Sequence, residues 1–306
     1  MTDVISIADG VRAGLAEGRG VVALESTLIA HGLPWPENLA TARAAEAAVR
    51  DGGAVPATVA VIGGRVRIGL SAAELERVAH SGSFLKAGRR DLGSAVARGL
   101  DAATTVSATL WIARRVGLSV LATGGLGGVH RDAAVTFDIS TDLDELARAD
   151  GMLIVCSGFK SILDLPATLE ALETRGVPVA GYRTDELPAF TTRSSGLPLE
   201  VRVGSPAEAA ALVRAHRALG LPGAVVLAQP VAEAVALDRA AMETALADAL
   251  ADARRQHVVG KAVTPFLLDR IRRVTGGRSL RANRALIVAN ARLAGEVASE
   301  LARIEP

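Results

Sequence analysis

Short aliphatic runs recur along this chain, each followed by a segment of helical composition, and that alternation limits the folds open to it. The runs are VVAL at 21–24, VPATVAVI at 55–62, SVLA at 119–122, MLIVC at 152–156, VPVAGY at 177–182 and GAVVLA at 223–228. Runs this short and this uniformly apolar read as strands covered on both faces, and the helices between them supply the crossovers that parallel strands require. Apolar residues make up 50% of the 306 residues but aromatics only 3%, so the core has to be built from Ala, Val, Leu and Ile. Gly63 and Gly64 separate two β-rich runs, which signals a hairpin and makes the sheet mixed. No linker, internal repeat or low-complexity segment divides the chain. The expectation is an α/β fold, a single domain over residues 1–306 with a mixed, mostly parallel central sheet flanked by helices.

The helices are expected at 4–17, ending at Gly18 and Gly20, and over ENLATARAAEAAVRDGG from Glu37. Ser71 and Glu74 form a capping box that opens a helix running to about Ser81. Others are expected from about Ala103 to Val116, from Asp142 to Ala149 with Ser140 or Thr141 as cap, and from the turn Phe159–Ser161 through SILDLPATLEALETRG. The C-terminal half adds Ser205–Ala218, Asp238–His257, TPFLLDRIRRVTGG, and a last helix from about Leu280 to Ile304 with Asn283 near its first turn.

Charge and cysteine content exclude several function classes. With 34 basic and 33 acidic residues the formal net charge is +1, and neither a polybasic run nor an acidic tail is present. Nucleic-acid polymers and membrane surfaces are therefore not expected as partners. No apolar stretch reaches the roughly 20 residues that span a bilayer. Cys156 is the only cysteine, and the first twenty residues carry Asp3, Asp9 and Glu17 without a continuous apolar run. A cytoplasmic protein is expected.

The chemistry concentrates between Leu121 and Lys160. The chain contains only three lysines, Lys86, Lys160 and Lys261, against many arginines. Arginine neither gives up its proton nor forms a Schiff base, whereas a lysine in a desolvated place does both. Lys160 follows the all-apolar run MLIVC and stands where the next helix is expected to begin, so burial and the helix dipole both oppose its charged form. Glu25 stands directly after VVAL, where burial favours the protonated form and suits the group to proton transfer; an edge-strand glutamate facing water is the alternative. Gly124, Gly125, Gly127 and Gly128 bring backbone amides to a strand end, a geometry suited to phosphate, although GGLGG matches neither a dinucleotide fingerprint nor a Walker loop and a plain tight turn reads equally well. Asp138 and Asp142, four apart, suit Mg²⁺ or Mn²⁺ with water and substrate completing the shell, or Asp142 caps a helix instead. His130 reads as a metal ligand, a substrate contact or a loop support. Lys86, Arg89 and Arg90 form a cationic patch sized for one phosphate or carboxylate, or a solvated cluster. A Schiff-base lysine beside a phosphate site points to a ring-opening sugar phosphate.

The segments VALESTLIAHGLPWPEN, GAVPATVAVIGG, RRDL, ATGGLGGVHR, TFDISTDL, SGFKSILD, TPFLL and SLRAN together resemble the pseudouridine-5'-phosphate glycosidase family, in order, from about residue 20 to 300. The resemblance implies a carbon–oxygen lyase that reversibly cleaves the C-glycosidic bond of pseudouridine 5'-phosphate to uracil and ribose 5-phosphate. It further implies Mn²⁺ or another divalent metal such as Mg²⁺, and a homotrimer. By motif, Lys160 would form an imine with C1' of the opened ribose, Glu25 would donate a proton, and Asp138 would hold the metal. Lys86, Ser140, Thr141 and Asp142 would contact substrate, Asp142 also moving protons, and Val106, Thr123, His130 and Asn283 fall at substrate-pocket positions. The family more usually reads CAG before the lysine where this chain has CSGF, so the nucleophile is kept while the turn that holds it differs.

A carbon–carbon glycosidic bond has no heteroatom leaving group, so protonating an oxygen or nitrogen, as ordinary glycosidases do, is insufficient, and an iminium at C1' supplies the missing electron sink. The other readings are a Schiff-base lyase or aldolase on a different sugar phosphate, and a non-catalytic sugar-phosphate-binding protein; the second has no need of Glu25, Asp138 and Lys160 together.

Overall fold

The computed structural model describes residues 4–80, 82–258 and 260–303. Its strands are β1 (Ile5–Ile7), β2 (Val21–Leu24), β3 (Val55–Ile62), β4 (Arg65–Ile68), β5 (Leu85–Ala87), β6 (Ala102–Thr104), β7 (Val120–Ala122), β8 (Leu153–Cys156), β9 (Val179–Tyr182), β10 (Val201–Val203) and β11 (Val225–Ala228). They form one sheet in the order β1-β4-β3-β2-β7-β8-β11-β9-β10, with β6 also pairing β3 and β5 pairing β6. Every pairing is parallel except β3 with β4 and β3 with β6. The sheet is thus mixed and mostly parallel, as the aliphatic runs imply. Its central strands β2, β7, β8 and β11 are buried along their whole length, because helices cover both faces.

Several boundaries differ from the sequence-based expectation. Residues 4–17 are not one helix: Ile5–Ile7 is an edge strand beside β4, and the helix runs Asp9–Ala16. The expected helix from Ala103 gives way to β6, whose Thr104 hydroxyl donates to the Val59 carbonyl at 2.7 Å, and the helix is Val106–Arg115 with Thr105 as cap. The helix after Lys160 begins only at Leu165. Asp164 caps it, accepting from the Ala167 amide at 3.0 Å, and Pro166 sits in its first turn, where a missing N–H costs nothing. The helix dipole therefore does not act on Lys160. The capping box at Ser71 and Glu74 forms, with the Glu74 amide donating to Ser71 Oγ at 3.2 Å and the Ser71 amide to Glu74 Oε2 at 2.9 Å. That helix spans Ala72–His80, and both Ser81 and Ile304 lie outside the described residues.

The last helix, Arg278–Ala302, organises one face of the sheet. It crosses β2, β7 and β8 and lies along Glu37–Asp51. The approach is close enough that a Cβ on Gly295 would stand 2.6 Å from the Val49 carbonyl oxygen, a backbone atom that cannot turn away. Among the described residues, no helix is long and apolar enough to cross a membrane.

Gly295→Val is expected to lower unfolding stability by about 1–3 kcal/mol, the usual cost of overpacking. Chemical denaturation reads it, and an unchanged midpoint would contradict the backbone contact.

Candidate active site

The site lies at the carboxyl ends of the parallel strands, where open α/β sheets place their ligands. Two segments leave β7 and β8 side by side and keep pairing beyond the strands. The Ser157 amide donates to Gly124 O at 2.9 Å, the Leu126 amide to Gly158 O at 3.0 Å, the Lys160 amide to Leu126 O at 3.0 Å and the Asp164 amide to Val129 O at 2.9 Å. This zipper fixes the backbone of Lys160 next to the glycine run. Its ammonium in turn donates to the Gly125 carbonyl at 2.5 Å. The side chain is half-buried, and its nitrogen faces a cavity of about 420 Å³.

The glycines serve close packing more than anion binding. A Cβ on Gly125 would meet the Phe190 ring at 2.6 Å, and one on Gly127 would meet Asp142 Oδ2 at 2.9 Å. The Gly127 amide, which a phosphate cradle would need, is already given to Asp142 Oδ2 at 3.0 Å.

Asp142 is buried, and its other oxygen accepts the Ser107 amide at 3.0 Å. It therefore ties the glycine run to the first turn of Val106–Arg115 from the first turn of its own helix, Thr141–Leu146. It does not cap that helix; Ser140 does, accepting from the Asp142 amide at 3.2 Å. Both Asp142 partners are main-chain N–H groups, which only donate, so each carboxylate oxygen is used as an acceptor and the side chain is held in one orientation. Glu25 is placed differently. It follows β2, accepts the Thr123 hydroxyl at 2.6 Å and is also hydrogen-bonded by the Thr27 hydroxyl. Hydroxyls turn to donate or accept, so Glu25 keeps partners in either protonation state.

Glu25, Lys86, Val106, His130, Asp138, Ser140, Thr141, Asp142, Lys160 and Asn283 all line the same cavity. Thr123 does not; it is buried behind Glu25 and holds it. Of the cationic patch, Lys86 and Arg90 line the cavity, while the Arg89 guanidinium turns to the buried Glu145 at 2.6 Å. His130 Nδ1 lies 3.8 Å from Asp138 Oδ2. Burial holds the His130 ring below the usual histidine range, the Asp138 charge opposes that, and Lys160 and Lys86 add to it. Cys156, at the end of β8, is fully buried, and desolvation pushes its thiol up to about 12, so it offers no rival nucleophile.

Asn290 escaped the sequence reading. It is fully buried on the last helix, and its amide donates to Thr123 O at 2.9 Å, Gly124 O at 3.3 Å and Ser157 Oγ at 3.1 Å, bracing the zipper from below. The available signal was a polar residue among the apolar positions of ALIVANARLAG.

A divalent ion fits this site in one way. Among the described residues no group of three or more His, Cys, Asp or Glu side chains could hold a metal. Asp138, with its side chain 38% exposed on the cavity wall, would be the protein's carboxylate ligand, leaving water and substrate oxygens to complete the shell of a hard cation.

The model of the indigoidine synthase A like proteins matches residues 10–300. A protein of Caldanaerobacter subterraneus named pseudouridine-5'-phosphate glycosidase is 51% identical over 304 residues, covering 99% of both chains. The chain belongs to this family. A family member of the same name from Streptomyces griseus is 55% identical over 289 residues, covering 94% of this chain and 89% of its own. Among solved structures, the prealnumycin C-glycosynthase AlnA in complex with ribulose 5-phosphate superposes with a TM-score of 0.90 at 42% identity, over 99% of this chain and 98% of that one. An indigoidine synthase A-like protein of Thermotoga maritima gives 0.89 at 37% identity, over 98% of this chain and 97% of that one.

Asp142→Asn places an amide N–H against one of two main-chain N–H donors. It is expected to cost about 1–3 kcal/mol of stability, the price of leaving a buried donor unpaired. Thermal or urea unfolding measures this, and a neutral result would contradict the strut.

Proposed function

We propose that this protein is a pseudouridine-5'-phosphate glycosidase, interconverting pseudouridine 5'-phosphate and water with uracil and ribose 5-phosphate through an imine on Lys160. The observation that carries the reading is the Lys160 amine, anchored on the Gly125 carbonyl within a cavity that also holds Glu25 and the cations Lys86 and Arg90. The full-length relatives of that name support it.

The synthetic direction shows what each group does. Ribose 5-phosphate enters as the open-chain aldehyde, and the neutral amine of Lys160 adds to C1' and expels water, leaving an iminium. Uracil C5 attacks C1', and Glu25 takes the proton from C5 so that the ring regains its conjugation. The sugar 4'-hydroxyl then displaces the lysine nitrogen from C1', its proton passing to that nitrogen, which closes the ribose ring and frees the amine. Cleavage runs these steps backwards, with Glu25 delivering the proton to C5 as the carbon–carbon bond breaks. In synthesis the iminium is the sink for the electrons of uracil C5, and in cleavage the nitrogen lone pair pushes the carbon–carbon bond apart and regenerates the iminium. Lys86 and Arg90 attract the 5'-phosphate, with Ser140 and Thr141 contributing hydroxyls to the same cavity. Asp142 fixes the glycine run on which the Lys160 ammonium rests, a positioning role that its two amide partners favour over proton transfer. Mn²⁺ or Mg²⁺ at Asp138 would supply positive charge to the substrate's oxygens. We place the reaction in the cytoplasm and the chain in a homotrimer.

A second reading has one observation in its favour. AlnA is named a C-glycosynthase for prealnumycin and holds ribulose 5-phosphate, so a related carbon nucleophile other than uracil is the competing substrate. Uracil among the products separates the two.

Borohydride added with ribose 5-phosphate is expected to leave a covalent sugar adduct on Lys160, seen as a mass increase and mapped by peptide digestion, and lost in Lys160→Ala. No adduct in the presence of Mn²⁺ would overturn the imine. Glu25→Gln is expected to keep the adduct while uracil release falls about 10²–10⁴-fold, the usual contribution of a general acid or base; an unaffected rate would remove Glu25 from the chemistry.

A further inference from the structure

His31 lines the cavity and has no part in the chemistry above. It sits in the turn Leu28–Gly32, a single turn of π-helix entered two residues beyond the Ser26 that follows Glu25. Such wide turns are uncommon and concentrate at functional sites. This one places His31 on the lining shared by the 420 Å³ cavity and an adjoining space of about 270 Å³. His31, Phe190, Pro265, Leu268 and Asn283 border both.

The two spaces differ in chemistry. Lys86, Arg90, Asp138 and Lys160 border only the first, while Leu33, Met242, Ile271 and Leu280 border only the second. The charged pair in the second, Asp269 and Arg272, is closed on itself at 2.6 Å. A ligand with a phosphate at one end and a flat, weakly polar ring at the other is sorted by this gradient. Its phosphate goes to the cations, its reacting carbon to Lys160 and Glu25, and its ring to the junction.

At the junction two polar atoms lack partners. His31 Nε2 and Asn283 Oδ1 are both buried without a hydrogen bond. Burial holds the His31 ring below the usual histidine range and the Lys86 charge adds to this, while the carbonyls of Leu85 and Phe84 oppose it. A neutral ring carries one N–H and one lone pair, so it has an acceptor to offer. Burying an unpaired acceptor is unfavourable, and a ligand N–H relieves it.

We infer that His31 is a base-recognition residue that accepts a hydrogen bond from a ring N–H of the uracil, with Asn283 across the junction taking part in the same subsite. Uracil offers two ring N–H groups. Both survive when the sugar is attached through carbon, whereas attachment through nitrogen removes one. An acceptor that meets N1–H, the group lost in the nitrogen-linked isomer, favours the carbon-linked nucleotide, while one that meets N3–H does not distinguish them. The assignment rests on the proposed reaction, and it concerns the aglycone alone, because nothing in imine formation on the sugar involves His31.

The test is steady-state synthesis from uracil and ribose 5-phosphate with each substrate varied in turn, in the wild type, His31→Phe and His31→Gln. His31→Phe is expected to raise KM for uracil about two- to tenfold, the worth of one hydrogen bond. KM for ribose 5-phosphate and the borohydride adduct on Lys160 should not change. His31→Gln, which restores an acceptor, should recover part of the loss and remains informative if the aromatic replacement fails to fold. A uracil KM that is unchanged in both variants, or a ribose 5-phosphate KM that rises by the same factor, would overturn the assignment. Failure of the proposed reaction is distinguishable: the wild type itself would then give no adduct with ribose 5-phosphate.

Discussion

The pairing of two segments past the ends of their strands is the constraint on which the site depends. β7 and β8 are ordinary parallel neighbours, but the backbone ladder continues from Gly124 to Val129 on one side and from Ser157 to Asp164 on the other. Loops at strand ends are usually the mobile part of an α/β protein. Here the ladder gives them the order of a sheet. Asp142 grips this assembly from the side and Asn290 from below, each buried and each bonded to its backbone. Because Thr123 opens the first segment and holds Glu25, the amine of Lys160 and the carboxylate of Glu25 are referred to one rigid frame. A reaction that makes and breaks a carbon–carbon bond needs that precision, since small misplacements of reacting groups cost large factors in rate.

Glu25, Asp138 and Asp142 line one cavity and behave differently because their partners differ. Asp142 receives two main-chain amides, which fix its orientation and use both of its oxygens. Glu25 receives two hydroxyls, which accommodate either protonation state. Asp138 lies open on the wall beside His130, with acceptor capacity left for a cation. The division of roles follows from donor type and exposure, not from proximity to the lysine.

Much of this was legible in the sequence, and the reasons are specific. The buried strands showed as aliphatic runs because a sheet covered on both faces has no polar side to display. Lys160 stood out because so few lysines remain in an arginine-rich chain and because it follows the run ending at Cys156. The three-residue strands β1, β5, β6 and β10 were not legible, since they exist only through pairing with distant partners such as β4, β3 and β9. The start of the helix after Lys160 is hard to read because SILDL continues an apolar pattern across the cap, Asp164, and the first-turn Pro166 comes only after it. The role of Asp142 could not be read because its partners are amides at positions 107 and 127, brought to it by the fold. The role of Asn290 could not be read because the Thr123 and Gly124 carbonyls that it holds are far from it in sequence.

The central claim is that the anchored amine of Lys160 becomes covalently joined to the sugar. A crystal soaked with ribose 5-phosphate tests it most directly. Continuous electron density is expected from Lys160 Nζ to C1 of an open-chain sugar, with the nitrogen's bond to the Gly125 carbonyl released or redirected. A closed-ring sugar phosphate resting in the cavity, with Lys160 unmodified and still on Gly125, would contradict it.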